Sequence, residues 1–239
     1  MTRLFATLIA FILAFAAPSR AAELEYAYPD QSVWTTRVSA DGTPDNPLLR
    51  IAKTLFTEAG IAWHGVPYPA TRMFENLKTG QSQFSMLVKA PALARCCLFG
   101  QIPVASTELR VYRHQLTPPI GSAAELAGKR VTLIQGYSYA GIRKALSDPA
   151  SNTRIDNAPS HRSAFALLER GRTDYVLDYT GPSKEILTAH PIADVRHDTL
   201  SRLEVFLVLH KSYPDAEAVM ARLDKIVARL DTKKLMAGN

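Results

Sequence analysis

Residues Glu125 to Ser138 read ELAGKRVTLIQGYS, and this stretch decides how the rest of the chain is parsed. Ser122 upstream suits the N-cap of a short helix that ends at Gly128. Arg130 to Gln135, RVTLIQ, is then a short apolar run bounded by turn residues, the signature of a buried strand. Gly136 opens a turn into a helix over Ala140 to Leu146. A buried strand, a glycine turn and a helix in this order make one repeating step of an α/β sheet covered by helices.

The same alternation continues on either side. Downstream, Ser160 caps a helix carrying Ala164, Phe165, Leu167 and Leu168, closed by Gly171. Tyr175 to Tyr179, YVLDY, is the next strand, and Leu203 to His210, LEVFLVLH, is the longest apolar strand candidate. A last helix starts near Pro214-Asp215, with Val219, Leu223, Ile226, Val227 and Leu230 on one face. Upstream, Leu24 to Tyr28 is a strand, and Asn46-Pro47 is an N-cap followed by a first-turn proline. Leu48, Leu49, Ala52, Leu55 and Phe56 follow at helical spacing up to Gly60. Ile61 to Val66 is a strand, Thr71 to Lys78 a helix with Met73, Phe74 and Leu77 inward, and Phe84 to Val88 a strand. No repeat or low-complexity tract interrupts the pattern.

At the start, Arg3 precedes a 14-residue apolar run, Leu4 to Ala17, closed by Pro18. That is short of the roughly 20 residues a membrane span needs, and the small-residue end describes a secretory signal peptide. Ser19 and Ala21 suit the −3 and −1 positions, so residues 1–21 are expected to be cleaved and the remainder exported to the periplasm. The alternative is an uncleaved membrane anchor. The 239 residues carry 28 Lys+Arg against 22 Asp+Glu, a net charge of +6. Removing Arg3 and Arg20 with the leader leaves 26 against 22, or +4, with no basic cluster interleaved with aromatics. A nucleic-acid partner is therefore not expected. With 47% hydrophobic and 21% charged residues, the composition is that of an ordinary globular protein, long enough for two lobes.

Cys96 and Cys97 are the only cysteines and are adjacent. Their Cα atoms are about 3.8 Å apart, below the usual disulfide range, so a ring between them is strained. Two ligands make no zinc site. The plain reading is two small buried residues in a strand or tight turn.

Five segments in order resemble the extracytoplasmic solute-binding proteins of the polar amino-acid type (bacterial family 3, type II periplasmic binding fold). They are Asn76 to Phe84, Ala90 to Arg113, Glu125 to Ser138, Leu167 to Tyr179 and Lys211 to Leu230. The resemblance implies an α/β fold of two lobes, each a mixed sheet flanked by helices and joined by two hinge strands. Lobe one would be 22–110 plus 204–239, and lobe two 111–203. It implies a monomeric, non-catalytic receptor with no cofactor or metal, handing a small polar or carboxylate-bearing solute to an ABC permease. The length leaves no kinase or cyclase module, which favours a free receptor, while a periplasmic sensor without transport stays open. A dehydratase-like enzyme on the same fold is a further alternative, although no nucleophile–base set or metal-ligand spacing is present.

Arg95 stands where the family's carboxylate-binding arginine stands, and the resemblance implies that role; from the residues alone it reads as a solvated turn residue. The turn Gly136-Tyr137-Ser138 would offer N–H groups and a hydroxyl to an anion. The family's ammonium-binding aspartate falls five positions after the aspartate that matches Asp174, which here is Tyr179, with Asp178 one residue early. Strand alternation would turn Asp178 away from the cleft unless a bulge intervenes, which suggests a ligand other than a standard α-amino acid. Tyr28, Trp34 and Tyr68 are stacking or core candidates, and Arg72 is a second cation at a helix start.

Overall fold

A computed structural model describes residues 23–30, 42 and 45–237. Residues 1–21, expected to be a signal peptide, and Trp34 lie outside these described residues. In chain order the elements are β1 (Leu24–Pro29), α1 (Pro47–Ala59), β2 (Trp63–Tyr68), α2 (Ala70–Thr79), β3 (Phe84–Val88), β4 (Cys97–Phe99) and β5 (Ala105–His114). Then come β6 (Arg130–Ile134), α3 (Ile142–Leu146), β7 (Arg154–Ala158), α4 (His161–Glu169), β8 (Tyr175–Tyr179) and α5 (Thr180–Ala189). The chain ends with β9 (Val195–His210), α6 (Ala216–Val227) and α7 (Thr232–Ala237).

The strands form one sheet in the order β2-β1-β3-β9-β5-β8-β6-β7, with β4 added to β9. Parallel pairs lie towards its two ends, β2-β1-β3 and β8-β6-β7, each covered by helices as parallel strands require. The centre is antiparallel. There β5 and the 16-residue β9 run together from Ala105↔Val205 to His114↔Val195, with one irregularity between Leu109 and Arg110.

Two main cores share this sheet. One gathers Tyr26, Phe56, Phe84, Leu207 and Leu223 from β1, α1, β3, the end of β9 and α6. The other gathers Val111, Leu133, Phe165, Tyr175 and Leu177 from β5, β6, α4 and β8. The change from one to the other falls between Ala105 and Leu109 on β5 and between Leu203 and Val205 on β9. A smaller cluster under α2 holds Ala27, Met73, Leu77, Leu93 and Cys97.

The local signals act as the sequence suggests. Asn46 Oδ1 accepts from the Leu49 N–H at 2.8 Å, and Gly60 closes α1 in the left-handed region. Ser160 and Ser163 form a reciprocal capping box on α4. The helix expected over Ala140 to Leu146 is shorter than its pattern. It begins as a tight 3-10 turn, Tyr139–Gly141, and continues as the five-residue α3.

Arg113 on β5 ties the sheet to β9 through Asp198, donating from Nε at 2.7 Å and from Nη2 at 3.1 Å, while Ile120 N–H adds a third bond at 3.1 Å. The Arg113 hydrogen bonds hold the Asp198 carboxyl below the ordinary carboxylate range. A carboxyl with its pKa lowered by folding stabilises the fold above the unfolded-state value, and that contribution disappears as pH falls through the folded value. Asp198→Asn is therefore expected to lower the urea midpoint at neutral pH, with the difference from the parent protein shrinking below about pH 4. Urea melts of both proteins at neutral and acid pH check this.

Candidate functional site

The parallel strands of both halves point their C-terminal ends at one cleft. Pro29 from the end of β1 and Met86 to Lys89 from the end of β3 line it on one side. Tyr137 and Ser138 after β6, and Tyr179 at the end of β8, line it on the other. Thr107 and Val205, from the two strands that cross between the cores, form its floor. Ligands of open α/β sheets bind at the carboxyl ends of strands for this reason: loops and helix starts converge there.

The inner chamber is small, about 110 Å³, and its walls are mainly apolar, with Met73, Phe74, Met86, Tyr137, Tyr179 and Pro182 prominent. It adjoins a wider mouth of about 670 Å³ that shares Phe74, Tyr137 and Ser138 and adds Lys78, Arg143 and Lys144. Two helix starts face the chamber, since Ala70 and Met73 on α2 and Pro182 on α5 line it. Neither helix has a side-chain cap hydrogen bond at its N-terminus. Their first N–H groups and partial positive charges are thus left for another acceptor.

Several polar groups at the cleft also lack partners. The Thr107 hydroxyl is buried and makes no hydrogen bond. A buried unsatisfied hydroxyl costs about 1–3 kcal/mol, so its position in a cleft wall matters. Ser138 Oγ has no hydrogen-bond partner among the described residues. Arg143 is half-buried, and its three hydrogen bonds all go to neutral acceptors: Nε to Tyr137 O at 2.6 Å, Nη1 to Asn157 Oδ1 at 2.8 Å and Nη2 to Ile134 O at 2.6 Å. Burial lowers its pKa, as expected for a guanidinium without a paired carboxylate. Lys89 sits at the cleft edge with Nζ 4.2 Å from the centre of the Phe206 ring.

The turn after β6 is where the halves touch. Gly136 has φ +81°, and a Cβ placed on it would lie 2.9 Å from both Thr71 N and Thr71 Oγ1 at the start of α2. Only glycine allows that backbone shape and that approach together. Tyr139 (φ 50°) and Ala140 (φ 54°) are also left-handed, and Tyr139 is held by full burial and by the Ile134 N–H, which donates to its hydroxyl at 2.7 Å. Backbone held in a disfavoured region beside a cleft is the kind of strain that packing must maintain.

Of the sequence-derived candidates, Gly136, Tyr137, Ser138 and Tyr179 meet at this cleft, and Arg72 lies on its rim with Glu75 and Gln135. The other four described candidates lie elsewhere. Arg95 is exposed on the turn before β4, because Leu93 and Cys97 on either side are drawn into the small core. Its carbonyl accepts from Lys211 Nζ at 3.0 Å, and its side chain lines none of the cleft. Tyr28 packs against Tyr26 in the first core, with ring centres 5.2 Å apart. Tyr68 is on the edge strand β2 and donates to Glu25 Oε1 at 3.1 Å.

Asp178 is fully buried and faces the second core, since β8 keeps its alternation and the irregularity falls on β5 and β9 instead. Both its oxygens lie 2.9 Å from His161 Nδ1, so that nitrogen carries a proton and donates to the carboxylate. His161 Nε2 lies 3.3 Å from the Tyr137 hydroxyl. Burial, then the charges of Asp178, Tyr179 and Asp30, push the Tyr137 pKa upward, so the hydroxyl stays protonated. Asp178 thus meets the cleft wall through His161 and Tyr137 and through the Tyr179 N–H, which donates to its Oδ1 at 2.7 Å.

No family model matches the sequence, and no curated protein matches it. Solved structures do. A histidine kinase sensor domain with similarity to periplasmic binding proteins superposes with a TM-score of 0.76 at 16% identity, over 91% of this chain and 96% of that one. The fold is that of the periplasmic binding proteins. An ancestral arginine-binding protein bound to arginine gives 0.72 at 15% identity, covering 91% and 97%. AbpA of Streptococcus pneumoniae, an amino-acid ABC transporter substrate-binding protein bound to L-arginine, gives 0.71 at 18%, covering 90% and 92%.

Thr107, Lys89 and Arg143 escaped the sequence reading. Lys89 directly follows a strand end, a signal that could have found it; the hydroxyl of Thr107 is distinguished only by its lack of a partner. Within this periplasmic-binding-protein fold the Asp178–His161 pair braces the wall that carries Tyr137. His161→Leu, which leaves the buried Asp178 carboxylate with the Tyr179 N–H but without its imidazole donor, is expected to cost about 1–3 kcal/mol in denaturant melts. Adding Asp178→Asn should recover most of that loss.

Proposed function

We propose that this protein is a non-catalytic periplasmic receptor that captures a small carboxylate-bearing solute in the cleft and delivers it to an ABC permease. The supporting observation is the unpartnered hydroxyl of Thr107 in a wall where four strand ends and two uncapped helix starts converge. Those groups favour a negatively charged acceptor. Arg143, without a carboxylate of its own, supplies the cation that the family resemblance gave to Arg95. Tyr137, Tyr179 and Phe74 offer flat apolar surface to the rest of the solute, and Ser138 a further hydroxyl.

Closure is a hinge motion of two lobes, 22–110 with 204–239 against 111–203, about β5 and β9. The change of core along these two strands, within a few residues of those boundaries, supports this division. A solute that touches both walls favours the closed arrangement through its differential contacts. The amino-acid-binding neighbours support a receptor over an enzyme, and no helix among the described residues is long and apolar enough to cross a membrane. The match to a histidine kinase sensor domain supports a second reading, a ligand sensor that reports to a partner instead of a permease.

The test is a thermal-shift screen of amino acids, polyamines, small carboxylates and aromatic acids, followed by calorimetry on the best solute. A saturable 1:1 complex recovered intact after long incubation is expected; turnover of the solute sinks the receptor reading. Thr107→Val removes the unsatisfied hydroxyl at constant shape. It should leave the free protein as stable or up to about 1 kcal/mol more stable, yet weaken solute binding roughly 5- to 15-fold. Gly136→Ala should weaken binding by at least about tenfold, because a Cβ at 2.9 Å from Thr71 holds the walls apart.

A further inference from the structure

We propose that Cys96 and Cys97 are a redox-modification site, closing reversibly to a disulfide between neighbouring residues. Both are free thiols with sulfur atoms 2.8 Å apart, and the chain has no third cysteine to compete for either. Cys96 is half-buried and donates to Leu93 O at 3.4 Å, whereas Cys97 is buried and donates to Leu77 O at 3.7 Å. Burial, the Cys96 contact and its charge push the Cys97 thiol pKa up, and Lys211 opposes that only weakly. Cys96 is therefore the sulfur that meets an oxidant first, and Cys97 is the one that resolves.

The surroundings determine what kind of disulfide results. Cys97 opens β4 opposite His210, and the Cys96 carbonyl accepts from Lys211 N–H at 2.9 Å. The peptide joining the pair is thus anchored on both sides by β9 and the turn after it. Neighbouring Cα atoms about 3.8 Å apart fall short of ordinary disulfide geometry, so the ring forms only by twisting that anchored peptide. A strained disulfide has a more oxidising potential and is readily reduced, which suits a reversible couple and not a structural staple. The oxidant is another disulfide, of small-molecule or protein origin. The Cys96 thiolate attacks one of its sulfurs, that S–S bond breaks, and one thiol leaves as a mixed disulfide forms. The Cys97 thiolate then attacks Cys96 Sγ and releases the second thiol. The two cysteine protons end on the two released thiols, the cysteine pair loses two electrons, and the oxidant gains them.

The full chain, reduced and then equilibrated in glutathione buffers of rising oxidised fraction, should be acid-quenched and weighed intact without reductant. The expected product is a monomer lighter by two hydrogens with both thiols blocked to alkylation, returning to the dithiol as the buffer is made reducing. Cys97→Ser should stop at a glutathione adduct on Cys96, while Cys96→Ser should react more slowly than either. A lasting glutathione adduct on the parent protein, a disulfide-linked dimer, or two thiols that stay free throughout the titration would each overturn the proposal.

Discussion

Everything in this structure leans on the antiparallel pairing of β5 with β9. Ten consecutive residues of β5, Ala105 to His114, are matched against β9, and along that ribbon one hydrophobic core gives way to another. Strand hydrogen bonds are indifferent to which core a side chain enters, so the ribbon stays continuous while the packing above it changes. One point on each strand carries the change, between Ala105 and Leu109 on β5 and between Leu203 and Val205 on β9. The cleft lies over that line, lined there by Thr107 and Val205.

The rest of the site follows from strand direction. Because β1, β3, β6 and β8 all end towards this line, whatever follows each strand is delivered to one place. A glycine turn follows β6, and a helix with no capping side chain follows β8 directly. The start of α2 reaches across and meets Gly136 at a distance no larger residue tolerates. The close approach, the helix starts without a capping side chain and the strained Tyr139 and Ala140 therefore occupy one region.

Much of the fold was legible because its signals are local. Asn46 and Gly60 bound α1, Ser160 begins α4, and the apolar runs of β6, β8 and the end of β9 lie where periodicity puts them. Less legible were elements with weak patterning. The edge strand β7 is largely exposed, β4 has only three residues, and α5 starts with Thr-Gly-Pro, which reads as a turn. The cleft was legible in its second half, where a glycine turn marks it. In the first half the reading failed at Arg95, because whether a residue on a turn faces the cleft depends on which neighbours the core takes. Leu93 and Cys97 are taken, and the guanidinium between them is left outside.

The one-residue offset at the end of β8 shows how a small change in sequence redistributes charge. Alternation places Asp178 and Tyr179 on opposite faces, so the tyrosine lines the cleft and the carboxylate enters the core. A buried carboxylate needs compensation, and His161 supplies it with both oxygens at 2.9 Å. The wall formed by Tyr137, Ser138 and Tyr179 is then neutral, while α2 and α5 contribute positive ends and Arg143 a full charge. A carboxylate one position later along β8 would place negative charge beside the start of α5.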